Sequence, residues 1–175
     1  MVIIIIFILN LNLDNTITEQ MDKLSSKSLD AIMKPLEDLT SFPIYTTVFY
    51  TLSLLGREKE EKAVKLAVVA LSGSSFLTWG IKGIVNRERP NKELTTRFNS
   101  SFPSGHMTNY FSVAHIFAKE YPRYSIYLYS FGFILGFSRI YLKKHYFTDV
   151  VAGMIIGISI SEFIYKNKKY FNLIF

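Results

Sequence analysis

The chain has 175 residues, 49% of them hydrophobic and 15% aromatic, and carries a formal net charge of +6. It contains no cysteine, which excludes a disulfide framework and any thiolate metal site. The basic balance favours anionic partners, and no nucleic-acid-binding motif accompanies it, so lipid headgroups or phosphate esters fit better than nucleic acid.

No linker, repeat or low-complexity segment divides the chain, so one domain over residues 1–175 is expected, with an N-terminal anchor and interfacial helix over 1–38 and a helical bundle over 39–175. The charged residues gather in short runs between apolar stretches, as in a polytopic helical membrane protein. Residues 2–9 are purely apolar but shorter than the about 20 residues that cross a bilayer. They read as an interfacial anchor or a first spanning helix, and lack the basic flank and cleavage site of a signal peptide. In 14–37, Leu29, Ile32, Met33 and Leu36 recur at helical spacing with Lys27, Asp30 and Lys34 between them. This predicts an amphipathic helix on the membrane surface.

Five spans are then expected, over about 40–56, 63–85, 104–118, 124–142 and 147–165. Lys65 and Lys82 lie near the ends of the second, where long side chains reach out of the apolar layer. Gly132 and Gly136, and Gly153 and Gly157, recur at the spacing that lets helix backbones approach closely. The expected fold is therefore all-α: a transmembrane bundle of five to six spans with an interfacial helix near its N-terminus.

Three polar clusters fall at span ends. The first, KGIVNRERP, ends the second span. If that helix continues until Pro90 stops it, Lys82 and Arg89 share a face about 10 Å apart and suit a phosphate ester. They equally suit plain snorkelling cations. The second, Pro103–His106, opens the third span, where unpaired N–H groups and the dipole attract an anion. There Ser104 either caps the helix or donates to a phosphate oxygen, Gly105 lets backbone approach a ligand, and His106 is placed as a general acid. In the third, Ser138–Asp149, Arg139 ends the fourth span, His145 sits in the short loop or at the start of the fifth, and Asp149 follows it by four residues, one helical turn. Asp149 could accept from one imidazole nitrogen and leave the other free as a nucleophile, or the two could form a surface pair capping a helix. With spans of alternating direction, all three clusters meet on one membrane face, in a charge arrangement suited to phosphoryl transfer.

These motifs, Lys-x6-Arg-Pro, Pro-Ser-Gly-His and Ser-Arg-x5-His-x3-Asp, are intact and in order between Lys82 and Asp149. The chain thereby resembles the type-2 phosphatidic acid phosphatase superfamily, which includes bacterial acid phosphatases and vanadium haloperoxidases. The spans match its lipid-phosphatase branch, whose six-helix core would make residues 2–9 the first helix. The resemblance implies that His145 attacks phosphorus, Asp149 orients it and His106 protonates the leaving oxygen. It implies that Lys82, Arg89, Ser104, Gly105 and Arg139 hold the phosphate oxygens, with no metal and no cofactor. The expected partners are a phosphorylated lipid and the bilayer, with no nucleic acid. The competing reading is a non-catalytic phospholipid-binding protein, although both histidines are kept. Arg87, Lys92, Arg97, Lys143 and Lys144 exceed the needs of one phosphate and suggest a headgroup with several negative charges. Basic residues on the opposite face, such as Arg57, Lys119 and Lys166, favour an extracytoplasmic site in the cell inner membrane, but Lys23, Lys27 and Lys34 erase that bias, so the orientation rests on the resemblance.

Overall fold

The computed structural model describes residues 11–171 apart from 41 and 94–95. The apolar segment 2–9 lies outside the described residues. The described chain is all helical: α1 (Leu11–Leu24), α2 (Lys27–Met33), a 3₁₀ segment (Pro35–Thr40), α3 (Phe42–Leu55), α4 (Glu58–Val85), α5 (Gly105–Glu120), a 3₁₀ turn (Pro122–Tyr124), α6 (Ser125–Tyr141), α7 (Phe147–Lys166) and the short α8 (Lys168–Phe171). The five apolar stretches thus become α3 to α7.

Helix α4 begins five residues earlier than the apolar pattern predicts. Its first turns are charged, and Lys62 and Lys65 pair with Glu58 and Glu61 one turn back, at 2.5 and 2.7 Å. The Arg57 N–H, bonded to the Glu60 carboxylate at 2.8 Å, marks its start. At its other end Pro90 is not the stop. The helix ends at Asn86, which takes a left-handed conformation (φ 47°) that Asn tolerates, and bonds its N–H to the Lys82 carbonyl at 3.0 Å. Arg89 therefore lies in a loop, not on the helical face with Lys82. The single N-terminal amphipathic helix is broken in two, because Ser26 caps α2 by accepting from the Leu29 N–H at 3.3 Å.

Helix α5 is the central element, packed against α4, α6 and α7. One apolar cluster joins Tyr45, Phe49, Val64, Ala67, Ile116 and Ile164; a second joins Met107, Phe111, Leu135, Ile140 and Val150, and Ile17 and Met21 of α1 pack on it. The glycine pairs act at the α5–α7 and α5–α6 contacts. A Cβ at Gly153 would lie 2.6 Å from the Ser104 carbonyl oxygen, and one at Gly157 would strike the Thr108 carbonyl. Since backbone cannot yield as a flexible side chain can, Gly157→Ala should destabilise the bundle by about 1–3 kcal/mol, the usual range for overpacking. Thermal unfolding in detergent measures it; an unchanged midpoint would show that α7 moves outward freely.

By length and composition α4 (28 residues) and α7 (20 residues) are apolar and long enough to cross a membrane. The helices α3, α5 and α6 have 14, 16 and 17 residues.

Candidate active site

The C-terminal ends of α4 and α6 and the N-terminal ends of α5 and α7 meet at one end of the bundle. Between them lies a cavity of about 220 Å³ lined by Lys82, Arg89, Asn99, Gly105, His106, Asn109 and His145. Ser104 and Arg139 are buried beside it at 0% and 2% exposure. The described parts of the following loop, 86–93 and 96–104, fold back over α4 to close it. Ser100 bonds to the Lys82 carbonyl (3.1 Å), Arg97 Nε to the Gly83 carbonyl (2.9 Å), and Phe98 stacks on Trp79 at 4.3 Å.

Each phosphate-binding candidate has a defined setting. Lys82, 9% exposed, donates its ammonium to the Ser100 carbonyl. Arg89 is held by the Lys144 carbonyl (3.1 Å) and Asn99 Oδ1 (2.9 Å), and its buried Nε has no partner among the described residues. Ser104 precedes α5 but makes no side-chain cap bond, and its buried hydroxyl is likewise unpartnered. The hydroxyl is therefore available to a ligand oxygen, which decides against a plain helix cap. Gly105 lines the cavity, and a Cβ there would make only ordinary contacts with Thr78 and Lys82, at 3.8 and 3.9 Å, so the space itself does not demand glycine. Arg139 gives its carbonyl to the His145 N–H at 3.3 Å.

His145 lies in the short loop just before α7, with the Asp149 carboxylate beside its ring. Its Nδ1 bonds to the Ser101 carbonyl at 2.8 Å, whereas the Asp149 carboxylate stands 3.8 Å away. A carbonyl only accepts, so Nδ1 carries the hydrogen and Nε2 keeps its lone pair. Burial pushes the ring pKa down to about 4, against the pull of nearby Asp149. Asp149 instead turns back to its own helix start, accepting from the Tyr146 N–H (2.8 Å), the Ser101 hydroxyl and Arg87 Nη1 (2.6 Å). His106 lines the cavity, and its ring makes no hydrogen bond among the described residues. The third histidine, His115, is taken up by Tyr129 (2.7 Å) and Glu162 (2.9 Å).

None of the five outlying cations lines the cavity. Arg87 corrects the headgroup expectation outright: it is spent on Asp14 (2.7 Å), Asp149 (2.6 Å) and Thr148 (2.8 Å) behind the site. Arg97 holds the loop, Lys143 pairs with Asp22, Lys144 pairs with Glu93 at 2.7 Å, and Lys92 is exposed. Among the described residues no three His, Cys, Asp or Glu side chains gather as a metal site. Sequence reasoning missed Asn99, Ser101, Asn109 and Asp14. None lies in a motif, and only the polar positions beside the motifs hinted at the first three.

The chain is 35% identical over 68 residues to a lipid A 4'-phosphatase of Porphyromonas gingivalis, covering 37% of this chain and 28% of that one. It is 39% identical over 57 residues to a lipid A 1-phosphatase of Rhizobium etli, covering 33% and 25%. The matched region is thus only about a quarter of the length of these curated relatives. The fold is shared with the first transmembrane PAP2-type phosphatidylglycerolphosphate phosphatase from Bacillus subtilis, with TM-score 0.78, 18% identity and 96% and 94% of the two chains covered. It is also shared with Aquifex aeolicus LpxE, with TM-score 0.73, 24% identity and 85% and 92% covered. Residues 62–173, the greater part of the chain and all three motifs, match the family model, and the chain belongs to the PAP2 superfamily.

Proposed function

We propose that this chain is an integral-membrane lipid phosphatase that cleaves the phosphate of a lipid headgroup through a phosphohistidine, without metal or cofactor. The observation that carries this reading is a junction at Asn109. On one side of it lies the cationic cavity holding both histidines; on the other lies a 460 Å³ pocket lined by Tyr45, Phe49, Val68 and Leu71 of α3 and α4. A phosphate and the apolar chain attached to it fit that pair of spaces. The outward-facing Phe76, Ile84, Tyr127, Phe133 and Phe163 are each more than 60% exposed, an apolar surface that suits lipid contact. In this reading α3 to α7 are spans, the shorter of them met by local thinning of the bilayer and by snorkelling residues at their ends, and α1 and α2 lie at the membrane surface.

The reaction follows from the site. His145 Nε2 attacks phosphorus as the bond to the leaving oxygen breaks, and His106 gives that oxygen a proton. Lys82, Arg89, Ser104, the Gly105 backbone and Arg139 hold the remaining oxygens, and Asp149 steadies His145 through Ser101. Water, deprotonated by His106, then cleaves the P–N bond. The substrate is one of phosphatidylglycerophosphate, undecaprenyl diphosphate, lipid A 1-phosphate or phosphatidic acid. Lys92, exposed in the loop beyond Arg89, is the outlying cation offered to a further headgroup charge, which favours the first three. The site faces the extracytoplasmic side of the cell inner membrane.

Phosphate release in detergent from these four lipids, with excess chelator, tests the reading. Release from at least one, unchanged by chelator, is expected. A folded protein that binds these lipids but releases nothing would instead be a phospholipid-binding relative.

A further inference from the structure

The deepest polar contact outside the cavity joins the N-terminal helix to the catalytic loop. Asp14 of α1 is 0% exposed, as is Asp149, and Arg87 stands between them. Its Nη2 donates to Asp14 Oδ2 at 2.7 Å and its Nη1 to Asp149 Oδ1 at 2.6 Å, while its guanidinium lies 4.0 Å over the Tyr146 ring. Asp14 also accepts from the Thr148 N–H at 3.0 Å and from the Thr148 hydroxyl, in the first turn of α7. Burying two carboxylates is costly unless each is paired and its lone pairs are filled. Here one guanidinium serves both.

We infer that Asp14 and Arg87 are positioning residues of the reaction centre, with Asp14 acting through Arg87 on Asp149 and so on the His145 ring. This rests on the phosphatase reading above. A lone Arg facing one carboxylate prefers to grip both its oxygens. Asp14 prevents that by occupying Nη2, which leaves Arg87 one nitrogen for Asp149 Oδ1. Asp149 Oδ2 is then free to take the Ser101 hydroxyl and the Tyr146 N–H. The Ser101 N–H is in turn held by the Arg87 carbonyl at 2.7 Å, and the Ser101 carbonyl receives His145 Nδ1. Every group that fixes the tautomer and tilt of the nucleophile's ring is thus tied to Arg87. Without Asp14, the guanidinium swings to grip both Asp149 oxygens, Ser101 loses its acceptor, and the ring loses its aim while the cavity stays intact.

The test uses the full chain in detergent with Asp14→Asn, Asp149→Asn and the double variant. Asn keeps an oxygen for the Thr148 N–H and removes the ion pair. Asp14→Asn should lower kcat on the order of 10-fold with KM nearly unchanged. In the Asp149→Asn background the same change should cost about twofold or less, because the two act on one element. Arg87→Lys, which keeps the charge but cannot bridge two carboxylates in a plane, should reproduce the kcat loss and serves if Asp14→Asn does not fold. Wild-type kcat in a folded Asp14→Asn, or an equal loss in both backgrounds, would overturn the inference while leaving the phosphatase reading standing. Wild-type protein that releases no phosphate from any lipid removes the reading itself, and the inference with it.

Discussion

His145→Ala should abolish turnover, with kcat lowered on the order of 10⁴-fold or more, because the nucleophile itself is removed. The ring is 2% exposed and makes its hydrogen bond through Nδ1, so Nε2 alone is presented to the cavity. Brief mixing with ³²P-labelled lipid followed by alkaline quench should trap a phosphoprotein in the wild type and none in the variant, since phosphohistidine survives base. A second signature comes from acid. Burial holds the ring pKa down at about 4, so the attacking nitrogen is free above that value and is protonated, and silent, as pH falls through it. The acid limb of kcat/KM should therefore lie near pH 4 to 5, well below the 6.5 of an ordinary histidine. A phosphoprotein that persists in His145→Ala would show that another group attacks.

Much of this site was legible before any coordinates. The three motifs sit at span ends, and alternating helices carry such ends to one face. The structure brings Lys82, Ser104, His106 and His145 together at one bundle end in that way. Local geometry misled at two points. Four residues between His145 and Asp149 suggest one helical turn, but α7 starts after His145, so the carboxylate, 3.8 Å from Nδ1, takes its hydrogen bonds from its own N-cap, Ser101 and Arg87. Seven residues between Lys82 and Arg89 suggest one helical face, but Asn86 ends α4 first. Spacing rules presume a continuous element, and here a cap intervenes each time. The role of Arg87 was hidden for a different reason. Its partners Asp14 and Asp149 lie 73 and 62 residues away, and no periodicity encodes a pairing that only tertiary packing creates. As a cation within a phosphate motif it read as a headgroup contact; the structure shows both its terminal nitrogens already committed.

The companion role proposed for His106 is that of general acid, and leaving-group chemistry separates it from simple phosphate binding. His106 is the second residue of α5, at a helix N-terminus among Lys82, Arg89 and His145, and its ring is not engaged elsewhere among the described residues. An alkoxide or phosphate leaving from a lipid needs a proton as the P–O bond breaks, whereas p-nitrophenolate, with a pKa near neutrality, leaves almost unaided. His106→Gln should thus lower kcat for the lipid by about 10²–10⁴-fold, the usual worth of a general acid, while p-nitrophenyl phosphate loses far less in the phosphorylation step. Single-turnover measurements isolate this step, since His106 also serves as base when water attacks the phosphohistidine. Equal losses for the two substrates in a single turnover would make His106 a phosphate-binding group and pass the proton to the solvent or to Lys82. An unequal loss places the acid on the first turn of α5, where the helix start that attracts the phosphate also brings the proton to it.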